Sequence, residues 1–244
     1  MRNVGIIMRR ELASYFATPI AYVFILFFLI LSNYLTFYVG GFYERSQADL
    51  IPFFQFHPWL YLFLIPAVSM KLWAEERNSG SVELLMTQPL TLWDAVLGKF
   101  LAAWIFTALA LALTFPLWIT VNYLGRPDNG TIIAAYVGSL LLAGGYLAIG
   151  SCMSALTRHQ VIAFILTVVI CFLFLLLGFT PVLALFHDWV PQSLLDSIAS
   201  LSLYTHFESI EKGVIDVRDL LYFGMLIGLF LIATSITVEL RKAA

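Results

Sequence analysis

Residues 50–70 and 100–125 contain no Lys, Arg, Asp or Glu. Each run is long enough to cross a bilayer as a helix, which takes about 20 mostly apolar residues. Uncharged stretches of that length have no stable place in a small water-soluble domain. Splitting the 244 residues at their charges gives six such segments, 19–40, 53–72, 100–124, 131–156, 160–180 and 219–238. The chain is 61% hydrophobic and only 11% charged, against roughly 25% charged in soluble domains. Little is left to build a soluble domain. The expected fold is therefore all-α and integral to the membrane, with six transmembrane helices. Segment 53–72 is the least regular, because it holds His57, Pro58 and Pro66, and Pro66 should kink it. The first apolar run is too long for the apolar part of a cleavable signal peptide, and no small-residue cleavage site follows it.

Orientation follows from the excess of Lys and Arg on the cytoplasmic side of membrane proteins. With six spans both termini share a side. That side holds Arg2, Arg9, Arg10, Lys71, Arg77, Lys99, Arg158, Arg241 and Lys242, nine cations, and the other holds Arg45, Arg126, Lys212 and Arg218, four. The expected location is a bacterial cytoplasmic (inner) membrane, crossed several times, with both termini inside. The net charge of −2 gives no basic footprint for nucleic acid. Cys152 and Cys171 lie in apolar runs and read as small core residues.

Three segments are not spans. Residues 1–17 place Val4, Ile7, Leu12, Tyr15 and Phe16 on one helical face and Arg2, Arg9, Arg10 and Glu11 on the other, the pattern of an interfacial helix. Residues 74–99, AEERNSGSVELLMTQPLTLWDAVLGK, are a polar island between two apolar runs. Asn78-Ser79-Gly80 reads as a turn, after which Ser81 can cap a short helix through Glu83, Leu84, Leu85 and Met86 that ends at Gln88-Pro89. Thr91 can cap the next helix, with Asp94 three residues on. An ordinary polar loop accounts for the same pattern. Residues 181–218 are too polar for a span and too apolar for a free loop, and read as one or two short helices dipping into the outer leaflet, where the backbone must stay internally bonded or be covered by protein.

No catalytic constellation is visible. The chain lacks the Gly-x4-Gly-Lys-Ser/Thr loop that cradles ATP phosphates. His57, His159, His187 and His206 have no metal-ligand spacing, and 181–218 offers neither Cys nor Met to a soft metal. The span centres carry no acid or base of the kind that marks an ion pathway. Ser32, Asn33, Thr114, Ser139, Ser151 and Ser154 remain as groups around which two subunits could meet, and Gly138, Gly144, Gly145 and Gly150 suit close helix packing. The chain is read as non-catalytic, with no cofactor.

With these residues in place, the chain resembles an ABC-2-type permease, the membrane subunit of a bacterial ABC transporter. The resemblance covers essentially the whole chain. Its most specific element is Glu76-Arg77, Gly80-Ser81, Leu84-Leu85 and Pro89 after the second span, followed by Lys99. The wording SVELLMTQPLTLWDAVLGK is most similar to gliding-motility-type permeases, and permeases for copper-site maturation of nitrous oxide reductase are also similar. The resemblance implies one ABC-2-type transmembrane domain over 1–244. In it, 1–17 would be the elbow helix, 74–99 the cytoplasmic coupling region and 181–218 the extracytoplasmic segment. Glu75, Glu76, Arg77, Gly80, Ser81, Glu83, Leu84, Leu85 and Pro89 would couple to the ATPase. It further implies two copies of a separate ATP-binding subunit and a second permease copy or related membrane subunit. An extracytoplasmic auxiliary protein is a further implied partner. The function implied is ATP-driven substrate movement, in the direction of export. The alternative is an ATP-driven mechanical or signalling module that acts on an extracytoplasmic partner and transports nothing.

Overall fold

The computed structural model describes residues 2–80, 91–186 and 191–240, and the described residues form helices joined by short turns. In chain order these are α1 (Arg2–Ala17), α2 (Pro19–Tyr34, extended by a π-helical turn over Leu35–Val39), α3 (Ile51–Phe54), α4 (His57–Ser69) and α5 (Lys71–Ser79). After residues 81–90 come α6 (Leu92–Ala112), α7 (Phe115–Leu124), α8 (Asn129–Leu156), α9 (Gln160–Leu176), α10 (Thr180–Phe186), α11 (Gln192–Ala199), α12 (Leu203–Glu211) and α13 (Val217–Leu240).

The bundle is wound around α8. Every residue of α8 from Leu142 to Ala155 is buried, and α13, α9, α4, α12, α6 and α5 all pack on it. Small residues make this possible, because a helix can be surrounded closely only where its side chains do not hold the neighbours away. A Cβ at Gly150 would lie 2.6 Å from the Cβ of Ser69 on α4, and one at Gly138 would lie 2.7 Å from Ile210 Cγ2 on α12. The peripheral helices are one-sided. On α9 only Ala163, Thr167, Cys171 and Leu175, a stripe at four-residue spacing, are buried. On α2 the buried residues include Ala21, Phe28, Ser32 and Thr36, while Tyr22, Val23, Leu26, Phe27 and Ile30 point outward. Such apolar outer faces are what a bilayer requires.

Five helical stretches are long and apolar enough to cross a membrane: Ala21–Val39, Ile51–Ser79, Leu92–Leu124, Asn129–Leu156 and Val217–Leu240. The expected sixth, 160–180, is the shorter apolar helix Gln160–Leu176, 17 residues. At 1.5 Å per residue it reaches about 25 Å, short of a ~30 Å hydrocarbon core without local thinning. It ends early because the chain turns at Leu177–Phe179 and restarts as α10. Pro66 does not interrupt α4, which runs on to Ser69; the break in the second span falls at Met70. The third span is broken instead, between Leu113 and Thr114, where Pro116 opens α7.

The polar groups offered above for a subunit seam are used within the chain. Ser32 Oγ and Asn33 Nδ2 donate to Leu29 O, and Thr114 bonds Leu111 O and Tyr136. Ser139 Oγ joins Tyr61 OH at 2.7 Å and His57 Nδ1 at 2.9 Å. Uncompensated polar groups are expensive in an apolar setting, so a nearby partner on the same chain captures them.

Candidate functional site

The polar island does not begin a separate element. Helix α5 continues the second span through Asn78 and Ser79, whose Oγ donates back to Glu75 O and Glu76 O. The expected turn is the end of that helix. Gly80, at φ +72°, takes the left-handed conformation in which a side chain is strained. Of the residues singled out for coupling, Glu75, Glu76, Arg77 and Gly80 lie on or just after α5, while Ser81, Glu83, Leu84, Leu85 and Pro89 lie outside the described residues. The expected cap is present where the chain resumes: Asp94 N–H donates to Thr91 Oγ1 and Thr91 N–H to Asp94 Oδ2, both at 3.2 Å.

Helix α5 is fastened at its start to the last turns of α8. Ser154 Oγ accepts from Trp73 N and Ala74 N at 3.1 and 3.0 Å and donates to Met70 O at 2.8 Å. These are the backbone groups orphaned by the break at Met70, and one hydroxyl satisfies all three. Trp73 Nε1 donates to Ser151 Oγ at 3.1 Å, and Arg77 donates to Ala155 O.

A charged triad adds two more helices. Lys99 Nζ on α6 lies 2.7 Å from Glu76 Oε1 on α5 and 3.5 Å from Glu11 Oε1 on α1. Its side chain is 3% exposed, the two glutamates about a fifth, and the ammonium sits 5.4 Å from the centre of the Trp73 ring. Lys99 is not a surface residue of the island, and Glu11 is not on the polar face of α1 as expected. That helix instead packs along α6. Ile7 rests over Gly98, Tyr15 stacks on Phe106 at 5.2 Å, and Phe16 meets the same ring edge-to-face at 5.8 Å. Beside the triad a cavity of about 700 Å³ opens between α1, α2, α4 and α5. The clasp therefore ties the segment before residues 81–90 to the helix after them, to the N-terminal helix and to the central helix.

A family profile described as ABC-2 family transporter protein matches residues 20–238. The chain belongs to the ABC-2 transporter family. As a member it is a multi-pass membrane permease subunit of an ABC transporter, a family whose partner is an ABC ATP-binding subunit. No curated protein matches the chain.

At the opposite end of this permease, a second polar group was missed by sequence reasoning. Helix α12 buries Leu203, Phe207 and Ile210 against α8, so this part of 181–218 is built into the bundle. His206 fixes it to the last span: Nδ1 lies 2.6 Å from Asp219 Oδ1, Nε2 lies 2.9 Å from Ser200 O, and the ring stacks on Tyr222 at 3.9 Å. Glu211, 7% exposed, borders a cavity of about 300 Å³ with Asp49, Asp128 and Thr131. Burial, and secondarily the Glu208 charge, push its carboxyl up to about 8. The signal available in the sequence was weak, a lone Glu at the end of a short amphipathic helix.

Proposed function

We propose that this permease receives motion from two copies of an ATP-binding subunit through residues 74–99 and converts it into export of a substrate. Glu75, Glu76, Arg77, Gly80, Ser81, Glu83, Leu84, Leu85 and Pro89 form the coupling contact in this reading. The observation that carries it is the clasp. A push on residues 81–90 reaches α5 on one side and α6 on the other, and buried contacts at Lys99, Ser151 and Ser154 join both to α1 and α8. A ligand shifts a conformational equilibrium only by its differential contact with the two states, and this corner is where such contact would be felt by four helices together. Counting Gln160–Leu176 as a short crossing gives six. The nine-to-four bias of cations then supports both termini and 74–99 on the cytoplasmic side of a bacterial inner membrane, with 1–244 as one transmembrane domain. A gliding-motility-type subfamily rests on the short length of the chain and the wording of 81–99, and a second membrane subunit and an extracytoplasmic auxiliary protein belong to the same proposal.

The test is affinity purification of the detergent-solubilised chain from its native membrane. An ATPase with a phosphate-binding loop should co-purify and be lost when Leu84→Asp and Leu85→Asp are introduced together. A chain that arrives alone, or with partners indifferent to the change, overturns the reading. One observation favours the second reading, force transmission without cargo. Helix α8 is clipped to α5 at one end and packed under α12 through Gly138 at the other, a continuous column across the bundle. Nucleotide-dependent movement of 191–211 with no flux of any cargo would favour it over transport.

A further inference from the structure

We propose that the cavity between α1, α2, α4 and α5 binds a phospholipid of the surrounding bilayer with a zwitterionic headgroup bearing a primary amine. Its volume of about 700 Å³ lies within the ~300–1,000 Å³ of ordinary ligand sites, and its walls are sorted by polarity along one direction. Phe24 and Phe27 of α2 and Leu64 and Val68 of α4 make one end apolar. The other end is made by matching faces: Arg10 and Ser14 on α1 with Thr18 just after it, and Lys71, Glu75 and Ser79 on α5, each set at four-residue spacing. An apolar body with a charged end is the outline of an amphiphile. Val23 and Phe27 are lining residues that are also exposed on the outer face of α2, so the cavity opens sideways, where an acyl chain would enter.

The charges select the headgroup. Arg10 pairs with Glu11 at 2.9 Å, and Lys99 pairs with Glu76 and Glu11. Lys71 and Glu75 have no ion pair among the described residues. They stand one turn apart on α5, and Lys preceding Glu is the weaker orientation for a pair at that spacing. One cation and one anion are thus left facing the cavity. A phosphate against Lys71 and an ammonium against Glu75, joined by two carbons, satisfy both. A purely anionic headgroup sets a second negative charge near Glu75. A free phosphate leaves the apolar walls wet, and a quaternary amine cannot donate a hydrogen bond to the carboxylate.

The full chain, purified from its membrane and stripped of lipid, is titrated by native mass spectrometry with phosphatidylethanolamine, phosphatidylglycerol, phosphatidylcholine and water-soluble phosphoethanolamine. Phosphatidylethanolamine should bind about tenfold more tightly than the other two lipids, the worth of one charge-assisted hydrogen bond. Lys71→Gln should remove about that factor. Ala67 of α4 lines the cavity between Leu64 and Val68; Ala67→Phe, which fills the apolar end, should abolish binding, while Ile30→Phe, exposed on α2 and not among the lining residues, leaves it intact. Equal binding of all three lipids overturns the proposal, as does wild-type occupancy in Ala67→Phe or binding of soluble phosphoethanolamine as tight as the lipid. If Ala67→Phe does not fold, Lys71→Gln, a change at the cavity rim, decides the matter: an affinity equal to wild type overturns the proposal. No nucleotide or ATPase is present in this titration, so its outcome is read separately from the coupling proposal, to which Glu75 also belongs.

Discussion

Replacing Lys99 by Met removes a buried cation that stands between two partly buried carboxylates. In the wild type, Glu76 and Glu11 each face Nζ, at 2.7 and 3.5 Å, and the ammonium itself is 3% exposed. Deleting one partner of a buried pair typically costs about 3–5 kcal/mol, because the remaining charge loses its compensation. Two features reduce that here. Glu11 keeps Arg10 at 2.9 Å, and both glutamates retain about a fifth of their side-chain surface in contact with solvent. The expected loss for Lys99→Met is therefore roughly 2–4 kcal/mol. Glu76→Gln should cost less, about 1–2 kcal/mol, since Lys99 still has Glu11. The double variant Lys99→Met/Glu76→Gln should lose less than the sum, with a coupling energy on the order of 1–3 kcal/mol, because a neutral pair of similar volume leaves no orphaned charge. The assay is equilibrium unfolding in mixed micelles followed by tryptophan emission, with Trp73, 5.4 Å from Nζ, as a local reporter. A loss below about 0.5 kcal/mol for Lys99→Met, or additive single losses, would refute the clasp as an energetic unit.

Two other outcomes follow from the packing and the titration. Gly150→Ala places a Cβ 2.6 Å from Ser69 Cβ and should cost about 1–3 kcal/mol of overpacking; Ser69→Gly, which removes the opposing atoms, should restore much of it in the same unfolding assay. Glu211 has its carboxyl raised to about 8 from an ordinary value of 4.5, so the folded state holds a proton that the unfolded state gives up. Its contribution to stability is then fully present below about 4.5 and fades as pH rises through about 8. Glu211→Gln should flatten the pH dependence of unfolding between those limits and raise stability at pH 9 relative to wild type.

How much of this was legible in the sequence depends on the range of each interaction. Uncharged runs are local, so 131–156 and 219–238 anticipate Asn129–Leu156 and Val217–Leu240 to within two residues at each end. The Thr91–Asp94 cap spans three residues and was equally readable. The clasp was not, because its bonds join residues far apart in the chain. Lys99 meets Glu76 across 23 positions, and Trp73 meets Ser151 across 78. A lysine at the head of an apolar run ordinarily reads as one whose ammonium snorkels to water. Ser151 and Ser154 read as candidates for a subunit seam because nothing local shows that a break at Met70 leaves backbone groups needing them. One signal was present. Lys99 falls on the buried stripe of α6 with Ala95, Ala102 and Phe106, spacings of four, three and four that face the interior of a helix bundle. A charge on such a stripe must find partners inside, and an adjacent pair of opposite charges, Glu75-Glu76, lies on α5. The stripe constrains the charge, whereas splitting the chain at its charges made Lys99 the boundary of a span. Applied to α1, the same rule finds Glu11 one turn past Ile7 and one turn before Tyr15, on the face that packs against α6. Glu11 then follows from helical spacing and the Glu75-Glu76 pair from its charge, and the choice of Glu76 and the distance between the helices have to come from the fold.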